Sequence, residues 1–391
     1  MLIVAIGGIL FLLFWTQKNT NLPTTEKTDN LDFLQLPQGF TATIFAQNLG
    51  DNTRANPGPN NGPRILATYK NTVFVSLMKQ GKVVALFDKN NDGFAETRKT
   101  VIENLQNPHG LAFYQDWLYI AEEHRVIRVQ DPDNDDIANL ETLEELVLLP
   151  SGDGHVSRTI KILEPTNAEE GEEAKLFISI GSSCNVCNEK EQQRATIQAC
   201  DLDGQNCQTY ARGLRNSVGF AAHEGKIYAT ENSRDLLGDL IPPDEINLIE
   251  EGRNYGWPIC YGKNIHDGEF DTNTYIRNPC LEPFEAESFV DLDAHNAPLG
   301  LSFYKGTKFP QEFADKLFVA LHGSWNSSTP VGYKIITVDL NTKEINDFLT
   351  GWLNPETGEI YGRPVDILNY KNGLLISDDN AGNIYFINYQ S

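Results

Sequence analysis

Residues 110–129 read GLAFYQDWLYIAEEHRVIRV, in which short apolar strands alternate with polar turns. The same pattern occurs six times along the chain, with five further copies at residues 65–87, 159–182, 218–232, 300–324 and 364–387. A β-unit that repeats at spacings on the order of 45 to 80 residues is typical of propeller blades. The sequence therefore predicts an all-β fold, a six-bladed β-propeller with long inserted loops.

A single blade cannot bury its faces alone, so the copies must pack around a common axis. Loops at one end of such a ring can converge on a central pocket, and we expect the chemistry there. A two-sheet sandwich is the structural alternative.

The charge balance excludes one class of partner. The chain has 391 residues with 31 Lys and Arg against 54 Asp and Glu, a formal net charge of -23. Such a surface repels phosphate backbones, so nucleic acid is not an expected partner. The acids are scattered among apolar residues rather than gathered in long runs, which argues against disorder.

The N-terminus differs from the rest of the chain. Residues 2–15 are 14 uncharged, mostly apolar residues, followed by a polar stretch that runs to about Asp32. This segment is shorter than the roughly 20 residues of a spanning helix and matches the apolar core of a signal peptide. We interpret residues 1–35 as an export signal or short membrane anchor plus a polar linker, and residues 36–391 as the propeller. A buried core segment is the alternative.

The six cysteines agree with export, because all of them lie in three local couples. The couples are Cys184 with Cys187, Cys200 with Cys207, and Cys260 with Cys280. Six thiols allow 15 connectivities, and proximity favours the sequential one. A zinc site at Cys184 and Cys187 is the alternative, although no second ligand pair is evident. Three disulfides in an oxidising compartment are the simpler account.

Two Asp-rich turns fall between predicted blade strands. The first, DKNNDGFAE at residues 88–96, begins like a calcium loop, with oxygen-bearing side chains at alternating positions and Gly93 at the bend. Lys99 stands at the twelfth position, where an EF-hand needs Glu, so an EF-hand is excluded. A hairpin turn is favoured over a bound ion, because Asn-Asp-Gly supplies the positive φ that such turns require. The same interpretation applies to DPDNDD at residues 131–136.

Candidate functional groups stand next to the predicted strands. Residues 213–258 contain a loop with several acids that is too polar to be buried without a ligand or metal. His155 precedes a strand at a loop tip, where an imidazole can act as a base. Arg215 and Asn216, Lys334 and Arg363 lie at or near equivalent positions of other blades. We expect these groups to face one pocket and to attract a small polyanion.

Several motifs in order resemble those of a known family. They are GDGHVSRTI, KLFISIGSSCNVC, GLRNSVGFA, TENSRDLLGDLIPPDEINLI, NYGWP, FVALHGSW, GYKI and GRPVDI. This order is similar to that of the soluble quinoprotein glucose and sorbosone dehydrogenases, with the sorbosone-dehydrogenase-like branch most similar. The resemblance runs from about Leu36 to the C-terminus. It implies a six-bladed propeller that holds pyrroloquinoline quinone (PQQ) beside Ca²⁺ and oxidises aldoses to lactones, or related aldehydes to acids.

The resemblance also implies roles for individual residues. His155 matches the catalytic base that takes the hydroxyl proton while hydride passes to the quinone. Arg215 matches the cation that stabilises the quinone oxygen, and Asn216 a neighbouring cofactor contact. Lys334 and Arg363 match groups that pair with the cofactor carboxylates.

Metal ligands follow from the same resemblance. Ser233 and Arg234 stand where backbone carbonyls bind a calcium ion at the active site. Glu245 and the carbonyl of Tyr255 resemble ligands of a second, structural calcium. One departure concerns Gly154, since the glucose branch has Asp before the histidine, and its orienting role is here lost or supplied elsewhere.

The sequence thus predicts an exported quinoprotein that takes a small sugar or aldehyde and passes electrons to an external acceptor. A non-catalytic propeller that binds a glycan or a protein is one alternative. A calcium-dependent lactonase-type hydrolase is another, although it would need several carboxylates or asparagines on the axis.

Overall fold

The computed structural model describes residues 31–50, 61–130, 138–164, 173–283 and 285–390. In these residues six four-stranded antiparallel sheets form the blades of a propeller, as the repeats predicted, and a sandwich is excluded. The first strands of neighbouring blades contact one another all the way around the ring, which closes the central axis.

Four of the blades use four consecutive strands each. Blade 1 contains β2 (Leu66–Tyr69), β3 (Thr72–Leu77), β4 (Lys82–Phe87) and β5 (Thr97–Ile102). Blade 2 contains β6 (Leu111–Tyr114), β7 (Trp117–Ala121), β8 (Arg125–Gln130) and β9 (Asn139–Leu148). Blade 3 contains β10 (Arg158–Leu163), β11 (Lys175–Ile180), β12 (Thr196–Cys200) and β13 (Gln208–Arg212). Blade 5 contains β20 (Pro298–Phe303), β21 (Leu317–Leu321), β22 (Lys334–Val338) and β23 (Ile345–Leu349).

The other two blades depart from this order. Blade 4 contains β14 (Phe220–His223), β15 (Lys226–Glu231), β16 (Asp244–Ile249) and β19 (Val290–Leu292). A long insertion before its last strand carries the hairpin of β17 (Cys260–Tyr261) and β18 (Ile265–His266). Blade 6 contains β24 (Pro364–Tyr370), β25 (Gly373–Asp378) and β26 (Asn383–Tyr389), and takes β1 (Phe40–Ala46) as its outer strand.

Helical structure in the described residues is limited to two short 3-10 turns, Met78–Gln80 and Gln311–Phe313. Within the same ranges there is no helix with the length and apolar character needed to span a bilayer. The predicted signal or anchor at residues 2–15 and the turn at residues 131–136 lie outside the described residues.

The hydrophobic core is divided among the blade interfaces. Separate clusters of buried side chains lie between successive blades, because the strands bury apolar residues on both faces. The interface of blades 5 and 6 is the most aromatic. There Phe40 packs edge-on against Phe309, Phe313, Phe348 and Tyr389, with ring centroids 4.8 to 5.1 Å apart.

The disulfides follow the sequential pairing that was predicted. Cys184 is bonded to Cys187, Cys200 to Cys207, and Cys260 to Cys280. The first bond leaves no thiolate in the CNVC segment for a zinc ion.

Strand β1, the outer strand of blade 6, is the basis of a stability prediction. Replacing Phe40 with Ala removes four aromatic contacts from the interface of blades 5 and 6. We expect the free energy of unfolding to fall by about 3 to 5 kcal/mol, measured by urea unfolding. The control Thr43→Ala, on the same strand but half-buried, should cost less than about 1 kcal/mol. Equal effects of the two substitutions would contradict this account.

Candidate active site

A cavity of about 130 Å³ opens at one end of the propeller. Its wall is built from segments that precede the first strand of a blade or follow the second strand. These two strands pair antiparallel, so the start of the first lies beside the end of the second. Five of the predicted site residues line it, and the other lining residues come from blades 4 and 5. The lining residues are His155, Arg215, Asn216, Asn232, Ser233, Arg234, Asp235, Pro242, Asp244, His295, Ala297, Trp325 and Asn326.

His155 is held in one orientation by Ser182. Its Nδ1 lies 3.1 Å from the Ser182 carbonyl oxygen and 3.1 Å from the Ser182 Oγ. That hydroxyl already donates to the Cys184 carbonyl, so both Ser182 atoms act as acceptors and the proton stays on Nδ1. The lone pair is therefore on Nε2, as a base requires.

Glycines make this arrangement sterically accessible. A Cβ on Gly154, which has φ +67°, would lie 2.3 Å from the Ser182 carbonyl oxygen. An aspartate could not stand at this position, so Ser182 supplies the orientation that the sequence left open. A Cβ on Gly181 would lie 2.7 Å from both the Asn216 Oδ1 and the His155 Cβ, so this glycine lets the two side chains approach each other.

Three arginines act on His155. Burial, followed by the charges of Arg215, Arg158 and Arg194, lowers the pKa of His155 to about 3. These cations lie close to the imidazole in a chain with a net charge of -23, and Asp235 and Asp244 line the same cavity. This arrangement suits an anionic ligand and keeps the imidazole neutral.

Arg215 is buried, and all of its N–H groups have partners. Nε donates to the Asn185 carbonyl, and one terminal nitrogen donates to the carbonyls of Asn232 and Ser233 at 3.0 and 2.9 Å. The other terminal nitrogen contacts the Asn185 Oδ1 and the Asp235 carboxylate, each at 3.0 Å. The guanidinium therefore acts on the cavity through its charge, with no donor left over for a ligand.

Sequence reasoning missed Asn185. Its side chain also accepts the Asp235 backbone N–H and donates to the Asp235 carbonyl. The available signal was its place between Cys184 and Cys187, whose disulfide fixes the short loop that presents it.

One of the two carbonyls predicted to bind the first calcium, that of Ser233, is engaged in another contact. The Ser233 carbonyl accepts a hydrogen bond from Arg215. The side chain of Arg234 is paired with Asp267 at 2.6 Å. Arg234 lines the cavity, and the guanidinium of Arg215 occupies the position beside the Ser233 carbonyl.

The predicted second calcium site contains Glu231, an acid of the polar segment at residues 213–258 that was not predicted as a ligand. Glu245 and Tyr255 line a smaller cavity of about 20 Å³ together with Glu231. Glu231 stands directly opposite Glu245 in the ladder of β15 and β16. Burial raises the pKa of Glu231 to about 8 and that of Glu245 to about 7. Arg215 and Arg234 line the same cavity, but among the described residues they pair with Asp235 and Asp267 rather than with Glu231 or Glu245. The two buried acids therefore offer oxygen ligands to a divalent ion.

Lys334 and Arg363 are not among the described residues that line the main cavity, so the expectation of one shared pocket is wrong for them. Lys334 lies on the third strand of its blade and reaches outward to Asp347, 2.6 Å away. Arg363 donates to the carbonyls of residues 322–324 and to the Tyr333 hydroxyl. No carboxylate among the described residues pairs with Arg363, so its positive charge persists at this end of the ring.

Comparisons with known proteins agree in family and fold. A family model described as TrAA12-like matches residues 35–390. An uncharacterised protein of Borreliella burgdorferi is 34% identical over 377 residues, 91% of each chain. A pyrroloquinoline quinone-dependent pyranose dehydrogenase of Coprinopsis cinerea is 24% identical over 278 residues, 55% of this chain and 38% of that protein.

Two solved structures share the fold. The calcium structure of the Trichoderma reesei family AA12 enzyme has a TM-score of 0.76 at 20% identity, covering 91% of this chain and 97% of that one. The holo form of the PQQ domain of the Coprinopsis cinerea pyranose dehydrogenase has a TM-score of 0.72 at 20% identity, covering 93% and 98%.

The geometry of His155 predicts a single tautomer. Since burial and nearby arginines lower its pKa to about 3, the imidazole should remain neutral with its proton on Nδ1 from pH 8 down to pH 5. Long-range ¹H–¹⁵N NMR spectra, with the His155→Gln variant for assignment, measure this directly. A titration midpoint near the ordinary value of about 6.5 or a proton on Nε2 would contradict it.

The close approach at Gly154 predicts a second effect. We expect Gly154→Ala to lower the free energy of unfolding by about 2 kcal/mol or more, because the new methyl group meets the Ser182 carbonyl. Gly152→Ala is the matched control, since Gly152 also has positive φ but its Cβ would meet nothing within 4 Å. Thermal and chemical unfolding compare the two, and equal losses would show that backbone strain alone is responsible.

Proposed function

Because this chain belongs to the TrAA12-like family, we propose that it is a quinoprotein oxidoreductase that oxidises an aldose sugar, or a related aldehyde such as sorbosone, with PQQ bound beside His155. The membership confirms the family resemblance that the motifs predicted. The observation that carries the proposal is a histidine held in one orientation by Ser182, with three arginines near it.

The cavity has the chemistry that a tricarboxylate cofactor needs. Arg215, Arg158 and Arg194 place positive charge around His155. Amide side chains of Asn216 and Asn326 line the same space and can hydrogen-bond to carbonyl or carboxylate oxygens. When bound, PQQ supplies a quinone that accepts a hydride.

His155 is the proposed base. Its Nδ1–H is held by Ser182, so Nε2 can accept the proton of the substrate hydroxyl. Removal of that proton strengthens the hydroxyl carbon as a hydride donor. The low pKa of His155 keeps Nε2 available throughout the neutral range.

On blade 4, Asn216 is a proposed cofactor contact, and Arg215 is proposed to act on the cofactor through its charge. Arg215 stabilises developing negative charge at a distance, through its preorganised and desolvated cation rather than by a new hydrogen bond. Arg363 adds a cation that no described carboxylate neutralises, and we propose that it attracts the cofactor carboxylates. Lys334 remains a proposed contact that must first leave Asp347.

Calcium is proposed as a second cofactor. The buried pair of Glu231 and Glu245, with the Tyr255 carbonyl, fits a structural ion. The Ser233 and Arg234 carbonyls fit less well, because Arg215 already donates to Ser233, and we derive no catalytic step through an ion there.

The cellular setting is also a proposal. Three disulfides fit an oxidising periplasmic or extracellular compartment, with residues 2–15 as an export signal or membrane anchor. Electrons then leave to an external acceptor.

Reconstitution tests the proposed function. The purified protein is supplied with PQQ and Ca²⁺, and dye reduction is followed on adding aldoses and aldehydes. We expect wild-type protein to bind PQQ and reduce the dye, and His155→Gln to keep PQQ binding while kcat falls by about 100-fold or more. His223→Gln, whose ring stacks on Phe303 away from the cavity, is the control and should keep full activity.

Each other outcome has a defined meaning. Failure to bind PQQ would overturn the quinoprotein assignment. Binding without dye reduction across a broad panel would favour a non-catalytic propeller, and hydrolysis of lactones would favour a hydrolase. Full activity in His155→Gln would remove the histidine from its role as base.

A further inference from the structure

The loop between β4 and β5 gathers three acids at the end of the propeller opposite the cavity. Asp88 directly follows β4, and Glu96 directly precedes β5. Since Phe87 is paired with Thr97, Asp88 and Glu96 are opposite each other at the next position beyond this pair. Like charges in such a position are destabilising. Asp92 lies between them, and oxygens of all three side chains are within 4.8 Å of one another.

A buried oxygen of Asp88 points to a missing ligand independently of the cluster. The side chain of Asp88 is 0% exposed. Its Oδ2 accepts hydrogen bonds from the Gly93 N–H and from Lys371. Its Oδ1 is buried and has no hydrogen-bond partner. Lys371 pairs with Oδ2 only, and a buried carboxylate oxygen such as Oδ1 is costly to leave without a partner of its own.

The spacing of the loop agrees with a calcium ligand set. Asp88, Asn90 and Asp92 alternate along it, and Gly93 with φ +90° makes the sharp bend. The twelfth position excluded only an EF-hand, whereas a hairpin turn was favoured over an ion for the positive φ of Asn-Asp-Gly, which Asn91 and Gly93 have. The structure shows that Glu96, the ninth residue, folds back instead, with its Oε2 accepting the Lys89 N–H.

Equivalent turns in other blades lack this arrangement. Asp201 in blade 3 has both oxygens partnered, by Lys175 and Asn206. Asp339 in blade 5 accepts two backbone N–H groups with one oxygen. Among the described residues, neither belongs to a group of three acids in ligating distance, so a turn between third and fourth strands does not itself require the cluster.

We propose that residues 88–96 bind a calcium ion through the side chains of Asp88, Asn90, Asp92 and Glu96. Calcium suits several carboxylate and amide oxygens in a flexible loop better than magnesium, which demands stricter geometry and retains its water. Lys371, from the turn between β24 and β25, competes for Asp88 and also contacts Asn91. Lys89 and Lys371 against three acids still leave the loop negative.

Counting bound ions tests this site without any reference to the proposed sugar oxidation. Metal-free protein is titrated with Ca²⁺ by calorimetry and equilibrium dialysis, and Tm is recorded with and without Ca²⁺. We expect Asp92→Asn and Glu96→Gln each to bind one ion fewer per chain than wild type and to lose part of the calcium-induced rise in Tm. PQQ uptake and dye reduction should be unchanged, whereas Glu245→Gln should affect a different ion.

The Lys371→Gln variant distinguishes a calcium site from a turn that is stabilised by the ion pair of Lys371 with Asp88. If the loop binds calcium, loss of the competing cation should tighten binding roughly tenfold. If Lys371 is the intended partner of Asp88, the variant should lose stability and gain no affinity for calcium, and the proposal is then wrong. Unchanged ion counts and Tm shifts in Asp92→Asn and Glu96→Gln would overturn it equally.

Discussion

The buried guanidinium of Arg215 is the interaction on which the candidate site depends. Its partners come from the disulfide loop that carries Asn185 in blade 3 and from residues 232–235 in blade 4. Removing one member of a buried ion pair leaves an uncompensated charge, which costs more than the pair itself contributes. The position of the cavity wall therefore follows from one cation whose contacts cross the boundary between two blades.

This cation also divides the electrostatics of the site into two regions. On one side, burial and the charges of Arg215 and two further arginines keep His155 neutral. On the other, Glu231 and Glu245 are buried with raised pKa values. A protein with strong net negative charge can thus present a local field that suits an anion beside a pocket that suits a divalent cation. The field at each site is set by charged groups a few ångströms away and not by the net charge of the chain.

The fold was predictable because its signals are local. Six copies of one strand pattern and three close cysteine couples need no knowledge of distant contacts. His155, Arg215 and Asn216 were placed correctly in one cavity because they adjoin first strands. Lys334 was expected in the same cavity but does not line it. It lies on a third strand, farther from the axis, and pairs with Asp347 on the outer strand.

Other parts of the site depend on pairings that the sequence does not display. The role of Asn185 requires knowing which loop meets Arg215 across a blade boundary. Glu231 becomes significant only when the register places it opposite Glu245. Glu96 likewise needed the pairing of Phe87 with Thr97. Motif spacing reports neighbours along the chain, whereas these groups are neighbours across strands.

The pairing of β1 with β26 affects how the chain folds during its synthesis. Phe40 pairs with Tyr389, and the register continues along β1 and β26. During translation, β1 leaves the ribosome long before its partner exists, because chains emerge at about 5 to 20 residues per second. For that interval its edge is unpaired and Phe40 is exposed, which is the condition that favours association with other chains. Synthesis of β26 therefore ends the period in which β1 needs protection.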